Sequence, residues 1–284
     1  MGYGDDLIIT SHASKIKKQF PDRQIVIGSV LKKQAYHSIM YDNNPNISDC
    51  NNLDLKKPIH IIDYHPGNRP YIDYKNSTNT KYIWNKNFKV TPGEIYFSQK
   101  EINEANKIIL EAKKYWNSCN NKKFRGLIFF EPSSTKIDNK QFGTKQQNKD
   151  WGYKNWNHLA NILNKDFLLI QSVHSKSKII KNIFNPGNLD FRLACAVMNN
   201  CDIYLGLEGG FVQAAGALRK KAVIYFGGWI SPEIIGYDFH ENIYYDDKFS
   251  PCGEYFNFCS HCEDARKSIS TNLFLEKIEK IFKS

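Results

Sequence analysis

Three groups of residues carry side chains suited to chemistry, and each stands beside glycine or a turn. In the first, Glu208-Gly209-Gly210 separates a short apolar run of strand type, 203–207, from a small-residue segment, 211–218, fit for a helix packed closely on a sheet. Residues 222–226 read as the next strand, closed by Gly227-Gly228. In such a βαβ unit the unpaired N–H groups and the dipole at the helix start favour an anion, and the expected anion is a phosphate. Glu208 ends its strand where doubly wound folds bind ligands, so it can hydrogen-bond ribose hydroxyls. It can equally be an acid that stabilises the helix start. In the second group, Lys149-Asp150-Trp151 precedes a helical stretch, and its lysine either meets a diphosphate or is a solvated lysine of a polar loop. In the third, Gly2-Tyr3-Gly4-Asp5-Asp6 leads into a helix. It is either an ordinary tight turn or a loop that sets Asp5 at a cleft, where a carboxylate can take a proton from a hydroxyl.

A fourth cluster is a candidate for metal. The chain has seven cysteines, of which Cys252, Cys259 and Cys262 fall together in PCGEYFNFCSHC. Cys259-Ser-His-Cys262 has the spacing of half a zinc site, with His261 inside it, but a second Cys-x-x-Cys is missing. Zinc or iron at this cluster and free thiols in an ordered loop both remain open. Cys50, Cys119, Cys195 and Cys201 are isolated and read as thiols of a reducing compartment.

The elements that must position these groups form two α/β halves. In the first, a helix over 6–19 ends at Phe20-Pro21, and strands follow at 24–30 and 59–63. Thr91-Pro92-Gly93 is a turn, and Ser98-x-x-Glu101 is a capping box that opens a helix over 99–116, with Ile102, Ala105, Ile109 and Ala112 at helical spacing. The second half starts with a strand at 126–131 that ends on an acid and a proline, followed by a polar loop over 133–149. A helix at 156–163 and a strand at 167–171 come next, then a helix capped by Asp190 that runs through Met198. Residues 231–262 read as a long loop with one strand near 242–245. An amphipathic helix at 271–282 closes the chain, with Phe274, Ile278, Ile281 and Phe282 on one face. Strands alternating with helices imply parallel sheets, and two such halves fit two Rossmann-like domains, 1–120 and 121–284, facing a cleft.

Composition narrows the partners. The 284 residues, 41% hydrophobic, can bury a proper core, and the net charge of +10 suits an anionic partner. The basic residues are scattered, with no arginine-rich arm, so no nucleic-acid partner is expected. No apolar run approaches the ~20 residues of a membrane span. The start MGYGDD is unlike a signal peptide, and Asp6 stands where a myristoylation motif needs Ser or Thr. A cytoplasmic protein is the expectation.

The segment YLGLEGGFVQAAGALRKKAVIYFGG resembles the nucleotide-binding core of glycosyltransferase family 9, the ADP-heptose heptosyltransferases of lipopolysaccharide synthesis. Gly4-Asp5-Asp6-Leu7 with Thr10 looks like that family's opening loop, and Lys149-Asp150-Trp151 like its Lys-Arg-Trp motif. Pro251-Cys252 with Cys259-x-x-Cys262 resembles its late cysteine-containing loop. A branch with Glu-Gly-Gly in place of Asp-Ser-Gly, followed by Gly-Gly-x-x-Ser-Pro, is the nearest in pattern.

The resemblance implies an α/β GT-B fold, with donor bound mainly by the C-terminal domain and acceptor by the N-terminal one. It implies inverting transfer without a required metal, from a nucleotide-diphosphate sugar (an ADP-sugar favoured, carrying heptose or a relative). The acceptor is then a glycan or glycolipid such as lipopolysaccharide, met at or near the inner membrane. Asp5 would be the base. Lys149, Glu208, Gly209, Gly210, Gln213, Gly227 and Gly228 would face the donor, and Gly4, Asp6 and Thr10 the acceptor. The chain departs from the family in three places: Glu208 replaces an Asp, Gln213 replaces a His, and no strand precedes the glycine loop. A non-catalytic nucleotide-sugar-binding protein and a GT-B nucleotide-sugar epimerase are the alternatives.

Overall fold

Glycines at 2 and 4 and acids at 5 and 6 start the first helix earlier than its apolar spacing indicates, and α1 runs over Tyr3–Gln19. Asp5 stands in its first turn and accepts a hydrogen bond from Gly2 N at 3.3 Å, which holds the helix start. The structure is a computed structural model and describes residues 2–133, 148–174, 177–254 and 257–283. Most of the expected polar loop over 133–149 lies outside the described residues.

The first half is built on a three-stranded sheet of order β2-β1-β3. β1 (Gln24–Ser29) pairs in parallel with β3 (Ile59–Asp63), Gln24 opposite Ile59 and Gly28 opposite Asp63. The two-residue β2 (Gln34–Ala35) returns antiparallel on the other edge of β1. This sheet is therefore mixed, where alternation of elements predicts a parallel one. The cause is a short hairpin in which Lys33 takes a positive φ of 48°. Gly28 permits the close return, since a Cβ there would strike the Gln34 carbonyl. No strand precedes α1 among the described residues, and β1 and β3 pair directly. The expected capping box is present: Ser98 Oγ accepts from Glu101 N and Glu101 Oε2 from Ser98 N, opening α2 (Gln99–Cys119).

The second half is a wholly parallel five-stranded sheet of order β5-β4-β6-β7-β8. Its strands are β4 (Leu127–Glu131), β5 (Leu168–Gln171), β6 (Ile203–Leu207), β7 (Lys221–Gly227) and β8 (Glu241–Tyr244). These are the apolar runs of the sequence, buried on both faces as parallel strands must be. Alternate side chains enter two cores. Ile128, Phe130, Leu205 and Tyr225 meet Trp151, Trp156 and Phe274 on one face, under α3 (Tyr153–Leu163) and α8 (Thr271–Lys283). Phe129, Tyr204, Ile224 and Phe226 enter the other core with α4 (Phe191–Asn199) and α5 (Gly210–Ala217). That second core runs on into the first half through Leu7, Ile25 and Trp116, so one apolar body joins the halves. The expected long loop over 231–262 also holds α6 (Pro232–Ile235) and α7 (Ser260–Ser268), short helices without a sustained apolar stripe to announce them.

The strand order reverses at β4, whose neighbours β5 and β6 lie on opposite sides. The carboxyl ends of β4 and β6 therefore frame the crevice where open parallel sheets bind ligands.

Candidate active site

Glu131 ends β4 and Glu208 follows β6, so the strand-order switch sets two carboxyl groups at one crevice. Lys149 comes to them from the segment before α3. Its ammonium lies 2.5 Å from Glu208 Oε2 and 3.9 Å from the centre of the Trp229 ring. No aligned hydrogen bond reaches that oxygen among the described residues, so the pair is held by charge. Trp229 is itself fixed, donating from Nε1 to Glu254 O at 2.8 Å and accepting at its carbonyl from Trp84 Nε1 at 3.1 Å. Asn148 donates to the Glu254 and Asn257 carbonyls, both at 2.9 Å, which anchors the residue next to Lys149.

Asp5 reaches the same crevice from the first half. Tyr71 OH donates to its Oδ1, and Arg69 Nη1 lies 3.7 Å from its Oδ2. The Arg69 guanidinium lies within 6.0 Å of the ring centres of Tyr71, Tyr74 and Tyr82, so it is held by aromatic faces as well as by charge. A cavity of about 660 Å³ joins these groups, lined by Gly4, Asp5 and Arg69 from one half and by Glu131, Lys149, Glu208, Gly209 and Gly210 from the other. Two helix starts open on it, those of α1 and α5. They nearly touch, since a Cβ on Gly4 would sit 2.9 Å from the Gly210 Cα. Free N–H groups from both helices suit a phosphate there.

The remaining sequence-based candidates are placed differently. Gln213 lines the cavity, but its amide is satisfied within the fold, donating to Ile235 O at 3.0 Å and accepting from Tyr237 OH at 2.6 Å. Asp6 points into the first half and accepts from Ser38 Oγ at 2.7 Å and Tyr41 OH at 3.4 Å. Burial raises its carboxyl above the ordinary range, against the Ser38 bond. Thr10 is fully buried, donating to Leu7 O and accepting from Glu94 N, both at 2.7 Å. Expected on the acceptor side, these two residues are instead used to hold α1. Gly227 and Gly228, expected at the donor, lie outside the cavity lining. Gly227 turns the chain with φ +59°, and a Cβ on Gly228 would strike the His261 ring.

Reasoning from sequence missed Glu131, Arg69, Tyr71, Trp84 and Trp229. Only Glu131 left a trace, as an acid at the end of an apolar strand, the same layout as Glu208. The others lie in segments without periodicity, and only folding brings them to the cavity.

The cysteine cluster stands apart from the cavity. The Sγ atoms of Cys252, Cys259 and Cys262 lie within 4.8 Å of one another, and two of the residues are buried. Thiolates this close fit three corners of a tetrahedral zinc or iron site. His261, within the same motif, faces away: Nε2 lies 2.9 Å from Ser250 Oγ and Nδ1 3.3 Å from Asp247. The loop that carries Cys252 also supports the crevice. Gly253 N donates to Trp229 O at 3.1 Å, and Glu254 O receives both Trp229 and Asn148.

No family model matches the sequence, and no curated protein matches it. Solved structures do. The glycosyl transferase family 9 structure from Veillonella parvula superposes with TM-score 0.59, covering 99% of this chain and 94% of that one at 12% identity. The iron-containing dodecameric glycosyltransferase TibC from enterotoxigenic E. coli gives TM-score 0.61, covering 100% of this chain and 74% of that one, also at 12% identity. The fold is that of glycosyltransferase family 9. The α/β GT-B architecture expected from the resemblance therefore holds, with the first sheet mixed rather than parallel. Among the described residues no helix is long and apolar enough to cross a membrane.

Proposed function

We propose that the protein is an inverting glycosyltransferase that moves a sugar from a nucleotide-diphosphate sugar to a cell-surface glycan or lipopolysaccharide-type acceptor. The observation that carries this reading is the meeting, in one cavity, of two helix starts, the Lys149–Glu208 pair and Asp5. Inversion requires a base on one side of the anomeric carbon and positive groups at the departing diphosphate on the other. Lys149 and the N–H groups of Gly209, Gly210 and Phe211 serve the second need without a metal ion. Asp5 serves the first, and Glu208 takes a ribose or sugar hydroxyl when the diphosphate draws Lys149 away. Residues 121–284 hold the donor and 1–120 the acceptor. An ADP-sugar carrying heptose or a related sugar is the favoured donor. The net charge of +10 suits an anionic acceptor and contact with the inner membrane from the cytoplasm. A zinc or iron ion at Cys252, Cys259 and Cys262 would brace the loop beneath Trp229.

A thermal-shift series with ADP-, GDP-, UDP- and CMP-sugars names the nucleotide, since a ligand of the native state raises stability by mass action. With that donor, Asp5→Ala should abolish transfer and leave nucleotide affinity nearly intact. Wild-type transfer by Asp5→Ala sinks the base assignment, and absence of any nucleotide-dependent shift sinks the donor site. One observation favours a second reading, a nucleotide-sugar-binding protein without turnover. Both Asp5 oxygens already have partners in Tyr71, Arg69 and Gly2 N, as in a structural carboxylate. That reading requires nucleotide affinity with no sugar release by the wild type.

A further inference from the structure

Glu131 occupies the strand-order switch, is 8% exposed and lines the cavity. Its Oε2 lies 2.7 Å from Tyr204 OH, and the same hydroxyl lies 3.1 Å from Leu207 O. A tyrosine hydroxyl has one proton to give, and a carbonyl has none. Both contacts are satisfied in full only when Tyr204 donates to Leu207 O and Glu131 donates to Tyr204. In that arrangement the carboxyl group carries the proton; with the Tyr204 proton turned to the carboxylate instead, the Leu207 contact goes unmade. Gly206 makes room for this chain of bonds, since a Cβ there would strike the Tyr204 hydroxyl. Burial pushes the Glu131 carboxyl up to about 8, against the hydrogen bond that Tyr204 would donate to an ionised carboxylate; the nearby Glu208 charge adds to the rise and Lys149 opposes it.

Among the described residues, the titratable groups facing Glu131 are few. Tyr204 from β6 and Cys195 from α4 are fully buried, and burial pushes both well up, so they stay neutral. Glu208 and Lys149 form the charged pair beside it. Around the rest of the cavity stand Asp5 with Arg69, Asp190 and His174. Among the described residues, Arg69 and Lys149 of this lining are each already matched by a carboxylate. One more negative charge at the head of β4 would repel any phosphate brought to the α5 start.

We propose that Glu131 works as a neutral carboxylic acid, a positioning residue whose missing charge lets the cavity accept a diphosphate beside Glu208. This rests on the reading of the α5 start as a diphosphate site, and it adds that donor affinity falls as Glu131 ionises. A unit charge several ångströms from a diphosphate in a partly buried site changes affinity by about tenfold.

The first test needs no ligand. Infrared difference spectra of wild type minus Glu131→Gln should contain a protonated-carboxyl band at neutral pH that vanishes in alkali. Tyr204→Phe, which removes the acceptor of its proton, should shift that band. The second test titrates inorganic diphosphate into wild type and Glu131→Gln from pH 6.5 to 9.5. The ratio of the two affinities cancels the probe's own titration, and it should move about tenfold against the wild type as pH rises. Absence of the band at neutral pH overturns the proposal, and so does a ratio flat with pH or diphosphate that binds neither variant. Failure of every nucleotide sugar to bind while diphosphate shows the shift would instead overturn the sugar-transfer reading.

Discussion

Lys149 Nζ lies 2.5 Å from Glu208 Oε2, with the side chains only 15% and 8% exposed. An ammonium matched in this way is not free to attract a phosphate at a distance, and an arriving diphosphate must compete with Glu208 for it. Charged contacts of this kind contribute about 2 kcal/mol. Lys149→Met, which keeps an unbranched side chain but removes the ammonium over Trp229, should weaken ADP binding by about thirtyfold in calorimetric titration. Glu208→Gln should strengthen binding of inorganic diphosphate, which has no ribose, while weakening ADP. ADP binding to Lys149→Met at wild-type strength would remove the lysine from the donor site.

Arg192 is one tie between the halves outside the cavity lining. From α4 it donates to Glu101 Oε1 at 2.6 Å and Oε2 at 3.0 Å on α2, and to the Ile39 and Tyr96 carbonyls at 2.8 and 2.6 Å. Removing one partner of a buried pair costs about 3 kcal/mol, so Arg192→Leu should lower the thermal midpoint by several degrees.

The same pair makes a prediction for acid. Burial alone would raise the Glu101 carboxyl, but the Arg192 and Ser98 hydrogen bonds outweigh it and bring the group down to about 2. A carboxylate depressed in the folded state adds stability above its unfolded value of about 4.3, and that stability is lost as pH falls toward 2. Denaturant midpoints of the wild type should therefore fall between about pH 4.5 and 2. Arg192→Leu should show a shallower fall over that window, and parallel curves for the two proteins would rule out this source of acid sensitivity.

The cysteine cluster is checked by metal content. The purified protein should hold zinc or iron by mass spectrometry, and Cys262→Ser should lose it. Because the Cys252 loop carries the Glu254 carbonyl that holds Trp229, the same variant should also weaken ADP binding. Equal metal content in wild type and Cys262→Ser would show that the three thiols are not its ligands.

Much of the second half was legible because its strands are continuous apolar runs and α4 opens on a side-chain cap. Asp190 accepts from Leu193 N at 2.9 Å, as its position before a helical run predicts. Alternation implied a parallel sheet but not its strand order, and the glycine turn after an apolar run put Glu208 at a strand end. The first half was less legible. β2 is two residues long, too short for any pattern, and its antiparallel return depends on Lys33 and Gly28. Most of the aromatic wall was also hidden. Arg69, Tyr71 and Trp84 lie in a segment without helix or strand, held by contacts such as Trp84 with Trp229 that are distant in sequence. Asp6 and Thr10 show the opposite failure, because a polar residue beside a glycine turn reads the same whether it faces a ligand or pins a helix.

The contact of Gly4 with Gly210 has a mechanical consequence. Two helix starts meet there without a side chain on either, so the halves come closer at that point than residues with a Cβ would allow. Gly4→Ala would insert a methyl 2.9 Å from the Gly210 Cα and push the two helix starts apart. X-ray scattering of that variant should give a larger radius in the presence of nucleotide than the wild type has.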